Sequence, residues 1–232
     1  MSTTFATQAP SAEDPARARS PWSVWLALFA VAFPLRAPAA WQYAGAHPNA
    51  ESLGIDEAAY DAWARRIAGG DVRGDGVFFQ EPLYSYVLGA VYALFGPEKQ
   101  LVRLAQALLG AALCVIAGKT TERMFGRASG LVAGALLAVH GPLILFPCFL
   151  LKEALLLPLL ALLTWQLVAS RARPQALRPW FAIGLLAGLG ALLRGNVLVL
   201  APCFIFWPLV RGHVARRSAE PVPFARTAGQ AA

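Results

Sequence analysis

ASGLVAGALLAVHGPLILFPCFLLKEALLLPLLALLTWQLVAS, residues 128–170, is 43 residues long and carries only two charges, the adjacent Lys152 and Glu153. Arg127 and Arg171 close it at either end. That length suits two membrane spans of about 20 residues each with a polar turn between them. The pattern extends outward: apolar runs recur from Trp22 to Val210, broken by short charged or Gly/Pro connections. Over all 232 residues, 57% are hydrophobic and 14% charged, where a soluble domain carries about a quarter charged. Mean hydropathy is +0.52. These values predict an all-α fold, a polytopic transmembrane helix bundle with about six to seven membrane segments. The segments fall near 22–42, 83–96, 100–118, 128–147, 150–170, 179–193 and 195–211.

The last pair follows from a length argument. Between Arg178 and Arg211 lie 32 residues whose only charge is Arg194. A single straight helix of that length would be about 48 Å long, against a hydrocarbon core of about 30 Å. Two short or broken helices meeting at Arg194-Gly195-Asn196 fit better. Gly184, Gly188 and Gly190 in the run before the break offer close helix packing.

The net charge of +7 does not indicate a nucleic-acid partner, because the basic residues are scattered rather than striped with aromatics. They cluster in connections: Lys119, Arg123 and Arg127; Arg171, Arg173 and Arg178; and Arg211, Arg216, Arg217 and Arg226. By the positive-inside rule these groups share the cytoplasmic side, which puts Lys152-Glu153 and Arg194 toward the opposite face. One difficulty remains in the count. If both 83–96 and 100–118 cross fully, Lys119–Arg127 ends on the wrong side. Leu83–Phe95 is only 13 residues, so either it does not cross or the charge rule fails here. Cys114, Cys148 and Cys203 all lie in apolar runs without a CxxC, which gives no disulfide framework and no metal site. His47, His140 and His213 are too dispersed for a ligand set; His140, before Gly141-Pro142, reads as packing at a helix break.

Residues 1–21 read as a disordered polar tail, 22–211 as the transmembrane core and 212–232 as a basic flexible tail. The first apolar run reads as an uncleaved span, a signal peptide being the alternative. After it, the loop 45–81 concentrates Glu51, Asp56, Glu57, Asp61, Asp71, Asp75 and Glu81, 7 of the chain's 13 acids. Within it Asp56 to Ala68 reads as a helix stopped by Gly69-Gly70. Tyr60, Trp63 and Ile67 share one face, as in a helix lying in the membrane interface on the external side. Asp61 and Arg65 form an (i, i+4) pair on another. Asp56 and Glu57 have two readings, as helix caps complementing the dipole or as site carboxylates. Lys152-Glu153 reads as an intramembrane site or as a structural ion pair. Arg194 reads as site or interfacial anchor, and Arg103 as site or as a juxtamembrane charge beside Lys99.

The runs DEAAYDAWARRIAGGD (56–71), FFQEPLYSYVLGAVYALFG (78–96) and LVRLAQALLGAAL (101–113) resemble the polyprenyl-phosphate-sugar glycosyltransferases of the GT-C fold. More narrowly they are similar to family 39 and its bacterial relatives, including protein mannosyltransferases and aminoarabinose transferases. GPLILFPCFLLKEALLLPLLALL (141–163) and GLLAGLGALLRGNVLVLAP (184–202) resemble the same family's middle segments, so the resemblance covers about residues 22–211. It implies a membrane enzyme, in bacteria of the plasma (inner) membrane. Such an enzyme moves a sugar from a polyprenyl-phosphate donor to a protein, lipid or glycan acceptor on the external, periplasmic side. The family's loop Asp, often Asp-Glu, matches Asp56-Glu57 and serves as general base or as organiser of acceptor and metal. A divalent ion, if one is used, would therefore sit at Asp56. A second acidic position matches Glu153, preceded by Lys152. The family's arginines match Arg103 and Arg194, with Gly195 where relatives carry Pro. Gln80-Glu81 stands where some relatives place a lysine for the donor phosphate. The resemblance therefore gives Asp56, Glu57 and Glu153 as catalytic candidates, and Arg103, Lys152, Arg194 and Glu81 as binding candidates. Relatives usually continue through more spans, so a fragment, a degenerate copy or a minimal form needing a partner is also expected. The rival classes are a non-catalytic membrane scaffold and a transporter or channel subunit, although no symmetric pair of broken segments recurs.

Overall fold

A computed structural model describes residues 19–46, 53–73, 80–171 and 176–200, together with Pro202 and Phe206. The described residues are helical with no strand. In order they form α1 (Trp22–Ala46), α2 (Ile55–Ala68), α3 (Leu83–Phe95), α4 (Lys99–Phe125), α5 (Arg127–Val139), α6 (Gly141–Leu145), α7 (Glu153–Ser170) and α8 (Leu177–Leu193). Single 3-10 segments follow α6 at Phe146–Cys148 and α8 at Gly195–Leu200. Except for Arg19–Pro21, the expected tails lie outside the described residues, as does most of the final segment beyond residue 200.

The bundle has fewer spans than the sequence predicts. Three described helices are long and apolar enough to cross a membrane: the Trp22–Tyr43 part of α1, α4 and α7. Counting Arg127–Val139 with Gly141–Cys148 as one span gives four, and that span bends by 60° at its break. Leu83–Phe95 and Leu177–Leu193 are shorter apolar helices. The surplus arises because an apolar run is not yet a full-length helix.

Why α3 falls short is visible in its packing. Its 13 residues make a rod of about 20 Å, and much of that length lies against α2. Tyr60 meets Tyr84 edge-on at 4.9 Å and Trp63 meets Tyr86 at 6.0 Å. Further along, Tyr92 donates a hydrogen bond to Asp61 at 2.6 Å. A Cβ on Gly89 would lie 2.7 Å from Ile67 Cγ2, so glycine is what lets the two helices meet. The apolar face of α2 is thus spent on α3. Both helices form one layer at the end of the bundle where α4 begins, with Tyr84 donating to Gln106 of α4 at 2.7 Å.

The long helices pack in sequence: α4 against α1, α5 and α7, and α8 back along α7. Glycines set the α4–α5 approach. A Cβ at Gly130 would sit 2.6 Å from Glu122 Cβ and 2.7 Å from the Gly118 carbonyl oxygen. Of the glycines singled out in α8, only Gly190 is in close contact, with Val197 and Leu159; Gly184 and Gly188 face open space. His140 does mark the break after α5, but it is exposed rather than packed.

The two ends of the bundle differ in charge. One end gathers Arg19, Trp22, Lys119, Arg123 and Trp165: Lys119 Nζ lies 3.0 Å from the Trp22 ring centre, and Arg123 Cζ lies 3.7 Å from that of Trp165. The other end holds the α2–α3 layer, the start of α7 and the end of α8.

Candidate active site

Charges at the start of α7 and the end of α8 are adjacent because those helices are antiparallel neighbours. Glu153 stands in the first turn of α7, where a carboxylate complements the helix dipole. Arg194 follows the last residue of α8 in extended backbone, and its Nη1 donates to Glu153 Oε1 at 3.2 Å. Lys152 pairs with Glu81, whose Oε2 accepts from Nζ, while Glu81 Oε1 accepts the Gly195 N–H at 3.3 Å. Next to Glu81, Gln80 Nε2 donates to Asp56 Oδ1 at 2.9 Å. Asp56, Glu81, Lys152, Glu153 and Arg194 therefore come together, joined by two residues that sequence reasoning did not assign: Gln80, and Tyr60, which shares a hydrogen bond with Lys152. Being next to Glu81 was the only signal for Gln80, and Tyr60 gave none beyond its place on the apolar face of α2.

Electrostatics keep the Glu81–Lys152 pair ionised. Burial alone would push the Glu81 carboxyl up, but hydrogen bonds from Lys152 and the Gly195 N–H, and the lysine's charge, hold it below its usual value. Burial works against the Lys152 ammonium as well, and Glu81 and Tyr60 outweigh that, so it lies above its usual value. The Tyr60 phenol is raised, chiefly by burial, and stays neutral beside the lysine. Asp61 is a different case. Burial raises it, Arg65 and Tyr92 outweigh that, and it ends low as a closed pair between α2 and α3.

The capping reading of Asp56 needs amending. Gly54 is the N-cap of α2, and Glu57 Oε2 accepts its N–H at 3.0 Å. Asp56 lies inside the first turn, exposed, with the helix dipole and the Gln80 amide as its structural partners.

Glu57 and Arg103 lie a layer below and hold backbone. Non-helical backbone at membrane depth must have its polar groups satisfied by protein, and the irregular stretch from Pro147 to Leu150 meets that requirement with side chains. Gln106 Nε2 donates to the Pro147 and Phe149 carbonyls at 3.0 and 2.8 Å, and Arg103 Nε to the Cys148 carbonyl at 2.9 Å. Glu57 Oε1 accepts the Leu150 N–H at 2.8 Å. Arg103 is only 3% exposed and lies beneath the Tyr43 ring. This clamp fixes the segment that delivers Lys152 and Glu153.

Among the described residues no three His, Cys, Asp or Glu side chains converge as a metal-ligand set. Asp56 has an amide rather than a second carboxylate as its bonded neighbour. Among the described residues, the side chains around Asp56 do not form a protein-built divalent-ion site.

No curated protein and no solved structure matches the chain. The profile of the family described as dolichyl-phosphate-mannose-protein mannosyltransferase matches residues 80–231. The match takes in Glu81, Arg103, Lys152, Glu153 and Arg194, begins downstream of Asp56 and Glu57, and covers well over half of the chain. The chain thus belongs to the dolichyl-phosphate-mannose-protein mannosyltransferase family, and is a membrane glycosyltransferase of the GT-C kind.

Proposed function

We propose that this protein transfers a sugar from a polyprenyl-phosphate donor to an acceptor at the bundle end where Asp56, Glu81, Lys152, Glu153 and Arg194 meet. That end would face the external side of a bacterial plasma membrane, opposite the basic connections. The observation that carries the reading is the joining of two cation–carboxylate pairs, Lys152–Glu81 and Arg194–Glu153, beside the exposed Asp56.

The reaction makes three demands. The acceptor's hydroxyl or amine attacks the anomeric carbon and must lose a proton; Asp56 is exposed and takes it as general base. The bond from the anomeric carbon to the phosphate oxygen breaks, and the leaving polyprenyl phosphate carries away the electron pair. Positive charge must meet it there. Arg194 suits this task best: a guanidinium has five N–H donors, Glu153 engages one nitrogen, and the side chain is about half exposed. Lys152 is more enclosed and already shared between Glu81 and Tyr60, so it supplies field rather than direct contact. Glu153 orients Arg194. Arg103 and Glu57 act by holding the clamped segment.

Purified protein incubated with polyprenyl-phosphate sugars and membrane extract tests the reading through the appearance of a glycosylated acceptor. Asp56→Asn keeps size and hydrogen bonding and removes the base, so the rate should fall by about 10²–10⁴-fold. Expression and insertion should hold, since the asparagine oxygen still accepts from Gln80 and the dipole interaction lost is about 0.3–1 kcal/mol. Transfer near the wild-type rate would remove Asp56 from the chemistry.

A further inference from the structure

The basic end of the bundle carries a feature that the sugar-transfer site does not use. A groove of about 340 Å³ opens between α1, α4 and α7, lined mainly by Trp25, Leu26, Phe29, Val115, Ile116 and Leu162. Trp22, Lys119 and Trp165 form its mouth. From Trp22 to Phe29 the wall descends seven residues along α1, about 10 Å of helix. Arg123 lies beside the mouth on Trp165.

The charges at the mouth are unbalanced. Lys119 and Arg123 rest on indole faces and pair with no carboxylate among the described residues. Arg19 adds a third positive charge close to Arg123. The acid between them, Glu122, is buried and accepts the Ser20 N–H at 2.7 Å. Tryptophans of this kind sit at the headgroup level of a bilayer. Two cations at that depth above an apolar slot match a headgroup phosphate with a hydrocarbon chain below it.

We propose that this groove is a binding site for an anionic glycerophospholipid of the leaflet opposite the sugar-transfer site, its phosphate between Lys119 and Arg123 and an acyl chain along Trp25, Phe29 and Ile116. The source is the bilayer rather than the sugar donor. On α7, Trp165 lies 12 residues from Glu153, about 18 Å along the helix, so a donor phosphate at Arg194 does not reach this mouth. The proposal does not depend on the enzyme's substrate.

Phosphatidylglycerol brominated on its acyl chains quenches tryptophan fluorescence on contact, and brominated phosphatidylcholine is the matched neutral probe. In phosphatidylcholine nanodiscs carrying a small fraction of either probe, the full-length protein should favour the anionic one on the order of ten-fold, each basic residue near the surface contributing about five-fold. The double substitution Lys119→Gln with Arg123→Gln should bring the two probes level. Arg171→Gln with Arg178→Gln, equally basic residues away from the groove, should leave the preference in place. Equal quenching of the wild type by both probes overturns the proposal without any variant. So does a preference lost equally in the Arg171/Arg178 control, which would mean diffuse surface charge. Displacement of the anionic probe by a polyprenyl phosphate but not by excess unlabelled phosphatidylglycerol would give the groove to the donor and also overturns it.

Discussion

Arg36, in the second half of α1, is the most deeply placed charge among the described residues, with no solvent exposure. Its neighbours explain it. Pro142 has no N–H to give the Ala138 carbonyl, the partner a continuing helix would require. Arg36 supplies the missing donors, with Nη1 at 3.1 Å from the Ala138 oxygen and Nη2 at 2.8 Å from that of Leu137. Removing it as Arg36→Met leaves bare the buried Ala138 carbonyl, at about 1–3 kcal/mol, and the partly buried Leu137 carbonyl, at less. The insertion cost of the charge cancels if α1 stays inserted when the bundle comes apart. We expect a loss of about 2 kcal/mol or more in SDS unfolding from mixed micelles, with Arg36→Lys recovering only part because an ammonium lacks the planar fork. Unchanged stability would refute the role. A second test at this scale uses pH. The Glu81 carboxyl is held low, so its contribution is present above its ordinary value of 4.5 and is lost as pH falls through the folded value beneath it. Lys152 is held high, so its contribution is present below 10.5 and lost as pH rises through the folded value above that. Wild type and Glu81→Gln should therefore differ in melting midpoint by a constant amount between those limits, with the gap closing in acid once wild-type Glu81 is itself neutral. A gap that does not begin to narrow as the pH falls below 4.5 would mean that the pairing is not its cause. Asp56, Lys152, Glu153 and Arg194 were legible beforehand because charges stand out in or beside apolar runs. Arg36 and Gln106 were not, because their partners are carbonyls that only a bent chain exposes.

The elements read well where period and punctuation agree, as for α2, which begins at Ile55 and ends before Gly69-Gly70. They read poorly where rotation about the helix axis decides the outcome. GLLAGLGALL looks like a packing stripe, yet only Gly190 touches a neighbour, while Gly130 and Gly134 of α5 meet α4 and α1 tightly. Composition cannot tell which way a short stripe faces in a helix that is apolar all round. The contrast is testable in one experiment. Gly130→Ala places a methyl within 2.6 Å of Glu122 Cβ and 2.7 Å of a backbone oxygen, neither of which can yield easily, so it should destabilise by about 1–3 kcal/mol as an overpacked site does. Gly184→Ala adds a methyl where nothing lies within 4 Å and should be silent or slightly stabilising. Equal unfolding midpoints for the two variants would mean that α4 and α5 do not approach through these glycines.

At the scale of the whole molecule, the charge rule and the crossing count conflict only if α3 spans the bilayer. The packing of α3 along α2 removes the conflict. With α3 confined to one layer, α1, α4, the bent α5–α6 pair, α7 and α8 run alternately. Arg19, Lys119, Arg127, Arg171 and Arg178 then fall at one end, and Asp56, Lys152 and Arg194 at the other. Hydrophobicity alone left this open, since a largely apolar helix of 13 residues satisfies equally a buried helix and a fragment of a span. What decides it is the set of tyrosines and Gly89 that bind α3 to α2, a pairing between segments that neither shows by itself. The consequence can be checked by labelling. In a background with Cys114, Cys148 and Cys203 replaced, Gln80→Cys and Glu98→Cys flank α3 at its two ends. A membrane-impermeant maleimide applied to sealed vesicles should modify both from the same side, with Arg127→Cys and Arg171→Cys protected until the vesicles are opened. Were α3 a true span, Gln80→Cys and Glu98→Cys would label from opposite sides, and Lys119 and Arg127 would move to the face of Asp56. That result would break the separation of the sugar-transfer end from the basic end, on which both the proposed reaction and the lipid groove depend.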